Sequence, residues 1–88
     1  MKNKRRKRFN KLFEKLPLHI QKQAKEDFKL FKKNPYDSSL GFKMLEGSDI
    51  VCAVDVGYHY RALGEKIGDT IEWYWIGSHE DYNKMMNR

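Results

Sequence analysis

The 88-residue sequence holds one cysteine, two prolines and no long apolar run. A lone Cys52 rules out an internal disulfide, and its place within "IVCAV" marks it as a small buried hydrophobe rather than a reactive thiol. Apolar runs of that kind fall far short of the roughly 20 residues a membrane-spanning helix needs, and no secretory apolar segment follows the basic start. A cytoplasmic protein with no membrane partner is the expectation. A second core is excluded by length, since so short a chain buries only a little over ~60% of its unfolded surface. One domain over residues 1–88 is expected, with 1–7 as a flexible basic tail. Acidic residues are also scarce, twelve against eighteen Lys and Arg, for a net charge of +6.

What is present argues for a folded domain. The apolar share is 40% and twelve residues are aromatic, and each large side chain buried supplies about 1.5–3 kcal/mol toward the chain entropy lost on folding. The basic excess begins with "KNKRRKR" and continues through Lys11, Lys15, Lys22, Lys25, Lys29, Lys32 and Lys33. Nucleic acid, an acidic protein or an anionic membrane surface would each satisfy such charge, and so would solvent alone.

In "FNKLFEKLP", Phe9, Leu12, Phe13 and Leu16 make one stripe of a helix that Pro17 ends. Ile20, Ala24, Phe28 and Phe31 then recur every three or four residues until Asn34-Pro35, predicting a second helix. From Leu40 the period changes to two, in "LGFKML", "IVCAVDV", "HYRALGE" and "TIEWYWI", with turns at Gly47-Ser48-Asp49, Gly57-Tyr58 and Gly68-Asp69. Connections this short exclude helical crossovers, so the strands pair antiparallel. Ser78 followed by Asp81 caps a short terminal helix over "HEDYNKMM". The expected fold is α+β: two N-terminal helices packed on one face of a four-stranded antiparallel sheet, with a short C-terminal helix.

An even-length turn at Gly68-Asp69 places Trp73 and Trp75 on one face with Tyr60 and Ala62, unless a bulge at Gly57 or Gly64 intervenes. Arg61, His59 and Leu63 then lie on the opposite face with Tyr74 and Ile76. Aromatic rings interleaved with basic groups suit an RNA strand, whose bases stack on rings and whose phosphates pair with guanidinium. An ordinary cross-strand pair of Arg61 with Tyr74 explains the same pattern.

Taken in order, the "KLP" break, the "NP" stop, the "K-x-L-x-G" strand end at Lys43–Gly47, the glycine before Tyr60-Arg61 and "G-x-H-x-x-Y" at Gly77–Tyr82 carry a resemblance. From about Phe9 to Tyr82 the chain resembles the RelE/ParE superfamily of bacterial toxin–antitoxin toxins, in its RelE/HigB-like branch. The resemblance implies a type II toxin held inactive by a cognate antitoxin. In the RelE branch it implies an endoribonuclease that cleaves messenger RNA in the ribosomal A site without a metal, and DNA contact only through the toxin–antitoxin complex. Arg61 stands where the family carries an arginine for the scissile phosphate, and Lys43 where it has the first basic residue of the strand end. Tyr82 matches a C-terminal aromatic tied to base stacking or catalysis, and His79 falls near a position that relatives fill with arginine or histidine. Glu46 stands where many relatives have a second lysine, and Asp55 where a basic residue is common.

Metal-free RNA cleavage requires a base for the 2′-hydroxyl, stabilisation of the phosphorane charge and an acid for the 5′-oxygen. Arg61 supplies permanent charge in a planar fork, His79 is the natural proton carrier near neutral pH, and Glu46 is an alternative base. Lys43 is placed to hold phosphate and Tyr82 to stack on a base. The catalytic candidates are therefore Arg61, His79, Lys43, Tyr82 and Glu46, and the RNA-binding candidates Arg61, Tyr74, His59 and Lys43. A solvated histidine at the first position of a helix, with no function, is the plain alternative for His79. His19, His59 and His79 have irregular spacing, so neither a metal nor a cofactor is expected. Two other functions share the fold: a non-catalytic ParE-like toxin that poisons DNA gyrase, and an inactive RNA-binding relative.

Overall fold

In the computed structural model, which describes residues 1–87, two helices and a sheet enclose one aromatic core. Helix α1 (Lys7–Glu14) and helix α2 (Leu18–Lys33) form where the apolar spacing predicts. Pro17 stands at the N-cap of α2, where its missing N–H leaves no helical bond unmade. Both helices bury their stripe against the sheet: Phe9, Phe13, Ala24 and Phe31 pack with Val54, Ala62, Ile71 and Trp73. Trp73 is the hub, its ring centroid 5.0 Å from that of Phe28 and 5.5 Å from that of Phe31. Each such aromatic pair adds about 0.5–1.5 kcal/mol beyond the area it buries. Among the described residues no helix is long and apolar enough to cross a membrane.

The sheet has five strands rather than four and is mixed rather than antiparallel. The basic start, expected as a flexible tail, forms strand β1 (Lys2–Arg5). Next come β2 (Lys43–Met44), β3 (Val51–Val56), β4 (Tyr60–Ile67) and β5 (Thr70–Ser78), in spatial order β1-β5-β4-β3-β2. The last four make the expected antiparallel meander, while β1 lies parallel to β5 with Lys2 opposite Thr70 and Arg5 opposite Trp73. No apolar alternation marks β1, because polar bonds hold it. Asn3 donates from Nδ2 to the Phe28 carbonyl at 3.1 Å and accepts from Trp73 Nε1 at 3.0 Å. Arg6, just beyond the strand, meets Glu65 at 2.6 Å and Glu72 at 3.1 Å.

A bulge divides the two tryptophans. Past the Gly68-Asp69 turn the pairs run Ile67 with Thr70 to Gly64 with Trp73, as the turn predicts, but Leu63 pairs with Trp75. Tyr74 is the extra residue. Trp73 therefore stays on the helical face with Tyr60 and Ala62, whereas Trp75 turns to the outer face with Leu63 and Ala53. Ile76, expected outside, turns inward. Gly64 permits this, since a Cβ there would lie 2.5 Å from Ile71 Cγ2 and 2.8 Å from Trp73 Cε3. Helix α3 (His79–Met86) starts on the predicted cap, Ser78 Oγ accepting from the Asp81 N–H at 3.0 Å, and lays Tyr82 and Met85 against Trp75 and Leu63.

Candidate functional site

On the outer face the register of β3 and β4 sets Asp55 opposite Arg61, and that of β4 and β5 sets Arg61 opposite Gly77. The arginine has little freedom. Its side chain is 15% exposed, Nη2 donates to Asp55 Oδ1 at 3.2 Å, and the guanidinium carbon stands 4.7 Å from the centroid of the Tyr82 ring. Contact of a cation with a ring face is worth roughly 0.5–2 kcal/mol. Tyr82 is held in turn by Trp75, ring centroids 6.2 Å apart.

His79 joins from the first turn of α3, its backbone N–H donating to the His59 carbonyl at 2.8 Å and its Nε2 lying 3.7 Å from the same Asp55 Oδ1. One carboxylate oxygen therefore faces an arginine and a histidine together. The other oxygen is backed by Gly41 at φ 53°, where a Cβ would lie only 2.5 Å from Oδ2. Among the described residues the Arg61 Nε is buried without a hydrogen-bond partner. A donor left in that state costs about 1–3 kcal/mol.

Beside Asp55 and His79 an open cleft of about 660 Å³ is lined by Gln23, Asp27, Ser38 and Ser39. Burial pushes the Asp27 carboxyl up from its ordinary value, against the bonds it accepts from Gln23 at 3.0 Å and from the Gly57 N–H at 3.3 Å. On the far side of Tyr82, Lys43 and Glu46 line a second cleft of about 410 Å³ with Met86. Among the described residues no three His, Cys, Asp or Glu side chains gather in a metal-holding arrangement.

Of the residues singled out from sequence, the structure brings Arg61, His79 and Tyr82 together and sets Lys43 and Glu46 on the neighbouring cleft. It does not bring Tyr74 to them. That ring lies with Arg6, Arg8 and Glu65, the Arg6 guanidinium 5.9 Å from its centroid, and burial pushes its hydroxyl up. His59 is exposed in the β3–β4 turn and joins the cluster only through its carbonyl. Asp55, the centre of the arrangement, was missing from the candidates. Its signal was the hairpin itself, because a turn centred on Tyr58 pairs Asp55 with Arg61.

This architecture can be compared with known proteins. The model of the ParE-like toxin domain matches residues 18–84, about three quarters of the sequence. The chain belongs to the ParE-like toxin family. It is thereby a member of the RelE/ParE superfamily. No curated protein matches it. Among solved structures, a chain of the RelB–RelE antitoxin–toxin complex from Methanococcus jannaschii is 23% identical, with TM-score 0.77, over 94% of this chain and 98% of that one. YafQ from E. coli is 12% identical, with TM-score 0.72, over 91% and 94%. The isolated E. coli RelE toxin is 17% identical, with TM-score 0.68, over 99% and 96%. For this ParE-like chain those likenesses carry the fold, and its chemistry rests on its own side chains.

Proposed function

We propose that this protein is the toxin of a type II toxin–antitoxin system and arrests translation by cutting messenger RNA on the ribosome, without a metal. The observation that carries the reading is the Asp55 carboxylate oxygen set between Arg61 Nη2 at 3.2 Å and His79 Nε2 at 3.7 Å, with the Arg61 guanidinium against the ring of Tyr82. In the cleavage step the 2′-oxygen bonds to phosphorus as the bond to the 5′-oxygen breaks, leaving a cyclic phosphate and a 5′-hydroxyl. Arg61 exchanges part of its contact with Asp55 for the phosphate and holds the charge that develops there. Asp55 and His79 stand together beside it, and they divide the proton taken from the 2′-hydroxyl and the proton given to the leaving oxygen. Tyr82 offers a ring edge to a base, while Lys43 and Glu46 meet the flanking nucleotide in the adjoining cleft.

A cognate antitoxin of acidic character is the proposed protein partner, in keeping with the net charge of +6 and the family. The ParE-like family model favours a second reading, a non-catalytic toxin that binds DNA gyrase on the same fold. Purified translation with primer-extension mapping separates the two. Cuts within A-site codons, lost in Arg61→Ala and only partly restored in Arg61→Lys, support the nuclease. Arrest without cuts, or inhibition of supercoiling instead, supports the gyrase reading, and no effect in either assay leaves an inactive RNA-binding relative.

A further inference from the structure

The cleft of about 660 Å³ beside Asp55 and His79 differs in chemistry from the cluster it adjoins. Three elements supply the rest of its wall: Gln23 and Asp27 come from α2, Ser38 and Ser39 from the short turn Ser38–Leu40, and Tyr58 from the β3–β4 turn. Among the described residues that line it, none is Lys or Arg. Two carboxylates without a fixed positive charge disfavour a phosphate, which is drawn instead to Arg61.

Asp27 is only partly committed. Gln23 Nε2 donates to its Oδ1 at 3.0 Å and the Gly57 N–H donates to its Oδ2 at 3.3 Å, and these are its bonds among the described residues. An ionised carboxylate accepts about four, so each oxygen keeps a lone pair. The two bonds also fix the carboxylate between α2 and the β3–β4 turn, the turn that carries Tyr58. That ring is 95% exposed, against 76% for Leu18 and 73% for Tyr36, and belongs to neither core cluster. An exposed ring in a turn is ordinary by itself. Beside a fixed pair of free acceptors it completes a site for a flat group rich in donors.

We infer that this cleft is a nucleobase subsite that selects guanine through Asp27, with Tyr58 as its stacking surface. Guanine carries two adjacent donors on its Watson–Crick edge, N1–H and the 2-amino group, and they meet two carboxylate oxygens in parallel. Adenine and cytosine set a ring acceptor beside their amino group, and uracil and thymine set one donor between two carbonyls. Each of them turns a lone pair against Asp27. Stacking on a ring tolerates any base, so Tyr58 supplies affinity and Asp27 the choice. The volume falls within the ~300–1,000 Å³ typical of ligand pockets. An ammonium group would also satisfy a carboxylate and a ring, but Asp55 and His79 belong to the cleft and to the cluster together, which makes the cleft continuous with Arg61. A base enters it while its own phosphate stays on the guanidinium. That the phosphate is held at Arg61 rests on the proposed function; the match of Asp27 to guanine does not.

The test is calorimetry on the full chain with 2′-deoxy trinucleotides, which carry phosphates but no attacking 2′-hydroxyl and so are not cut. The central base, between two thymines, is guanine, hypoxanthine, adenine, cytosine or thymine. Guanine is expected to bind about tenfold or more tighter than adenine, cytosine or thymine, the discrimination of one good bidentate pair, with hypoxanthine, which lacks the 2-amino group, in between. Asp27→Asn, which puts a donor in place of one acceptor, should abolish the preference. Tyr58→Ala should weaken all five trinucleotides alike, and Tyr58→Phe should not. Arg61→Ala should weaken all five and keep the preference. Thermal unfolding checks the fold of each variant. Equal affinity for the five, a preference that survives Asp27→Asn, or no binding at millimolar concentration would overturn the inference. Displacement of the guanine trinucleotide by spermidine, dependent on Asp27, would overturn it in favour of an amine site. A guanine preference in a chain that never cuts message sustains the subsite and removes only the nuclease, whereas cutting with no base preference does the reverse.

Discussion

Gly41→Ala is expected to damage the site through Asp55 rather than through the fold. Gly41 adopts φ 53°, a left-handed conformation that costs a residue with a Cβ about 1–2 kcal/mol. In a domain of this size each kcal/mol lowers the midpoint by about 4–8 °C. The new methyl would also stand 2.5 Å from Asp55 Oδ2, closer than such contacts occur, so the carboxylate must rotate away from Arg61 and His79. Gly47→Ala is the matched control. It has φ 78° and nothing within 4 Å of an added Cβ, so it carries the strain without the displacement. Thermal unfolding followed by circular dichroism should show similar losses for the two variants. Primer-extension mapping should show cuts that persist in Gly47→Ala and fall by about tenfold or more in Gly41→Ala, as misplaced catalytic groups do. Equal cleavage by both variants would refute the claim that Asp55 must be held where it is.

Three further outcomes follow from other parts of the fold. Gly64→Ala should lower stability by about 1–3 kcal/mol in denaturant titration, since its Cβ would meet Ile71 and Trp73 at 2.5 and 2.8 Å inside the core; an unchanged midpoint would mean that the bulge absorbs the methyl. Cys52 should resist iodoacetamide at pH 8 until the protein is unfolded, because it is buried and burial pushes its thiol up to about 11; rapid native modification seen by mass spectrometry would contradict that placement. The Ser39 hydroxyl and N–H, at 2.7 and 3.0 Å, hold the Asp37 carboxyl below its ordinary 3.8. Its contribution to stability is therefore complete above pH 3.8 and is lost as pH falls through the lowered value. The wild-type midpoint should exceed that of Asp37→Asn at neutral pH and converge on it in acid, whereas a constant gap would exclude the linkage.

The legible parts of the sequence were those in which one local rule acts alone. Apolar spacing marked α1 and α2, Gly68-Asp69 marked the last hairpin, and Ser78 with Asp81 marked the start of α3. The missed parts each needed a contact from distant sequence. Strand β1 is polar and is fixed by Asn3 bridging Phe28 and Trp73, bonds that span 25 and 70 residues. The extra residue Tyr74 depends on the space above Gly64, so alternation was right up to Trp73 and inverted beyond it. In the site, Arg61, His79 and Tyr82 were recognisable by chemistry and family pattern. Asp55 was passed over as a departure from that pattern, although the carboxylate is what joins two of them.

RNA cleavage is the function proposed for the Asp55–Arg61–His79 cluster. It is tested most directly by mapping message ends after purified translation with the wild type, Arg61→Ala and His79→Ala, all checked for intact fold. The wild type is expected to cut in A-site codons, and the cuts to fall by about 10²–10³ in Arg61→Ala, the effect of losing roughly 3–4 kcal/mol of transition-state stabilisation. His79→Ala should show its own, separate loss. Undiminished cleavage by a folded Arg61→Ala variant, or arrest by the wild type without any cut, would contradict it.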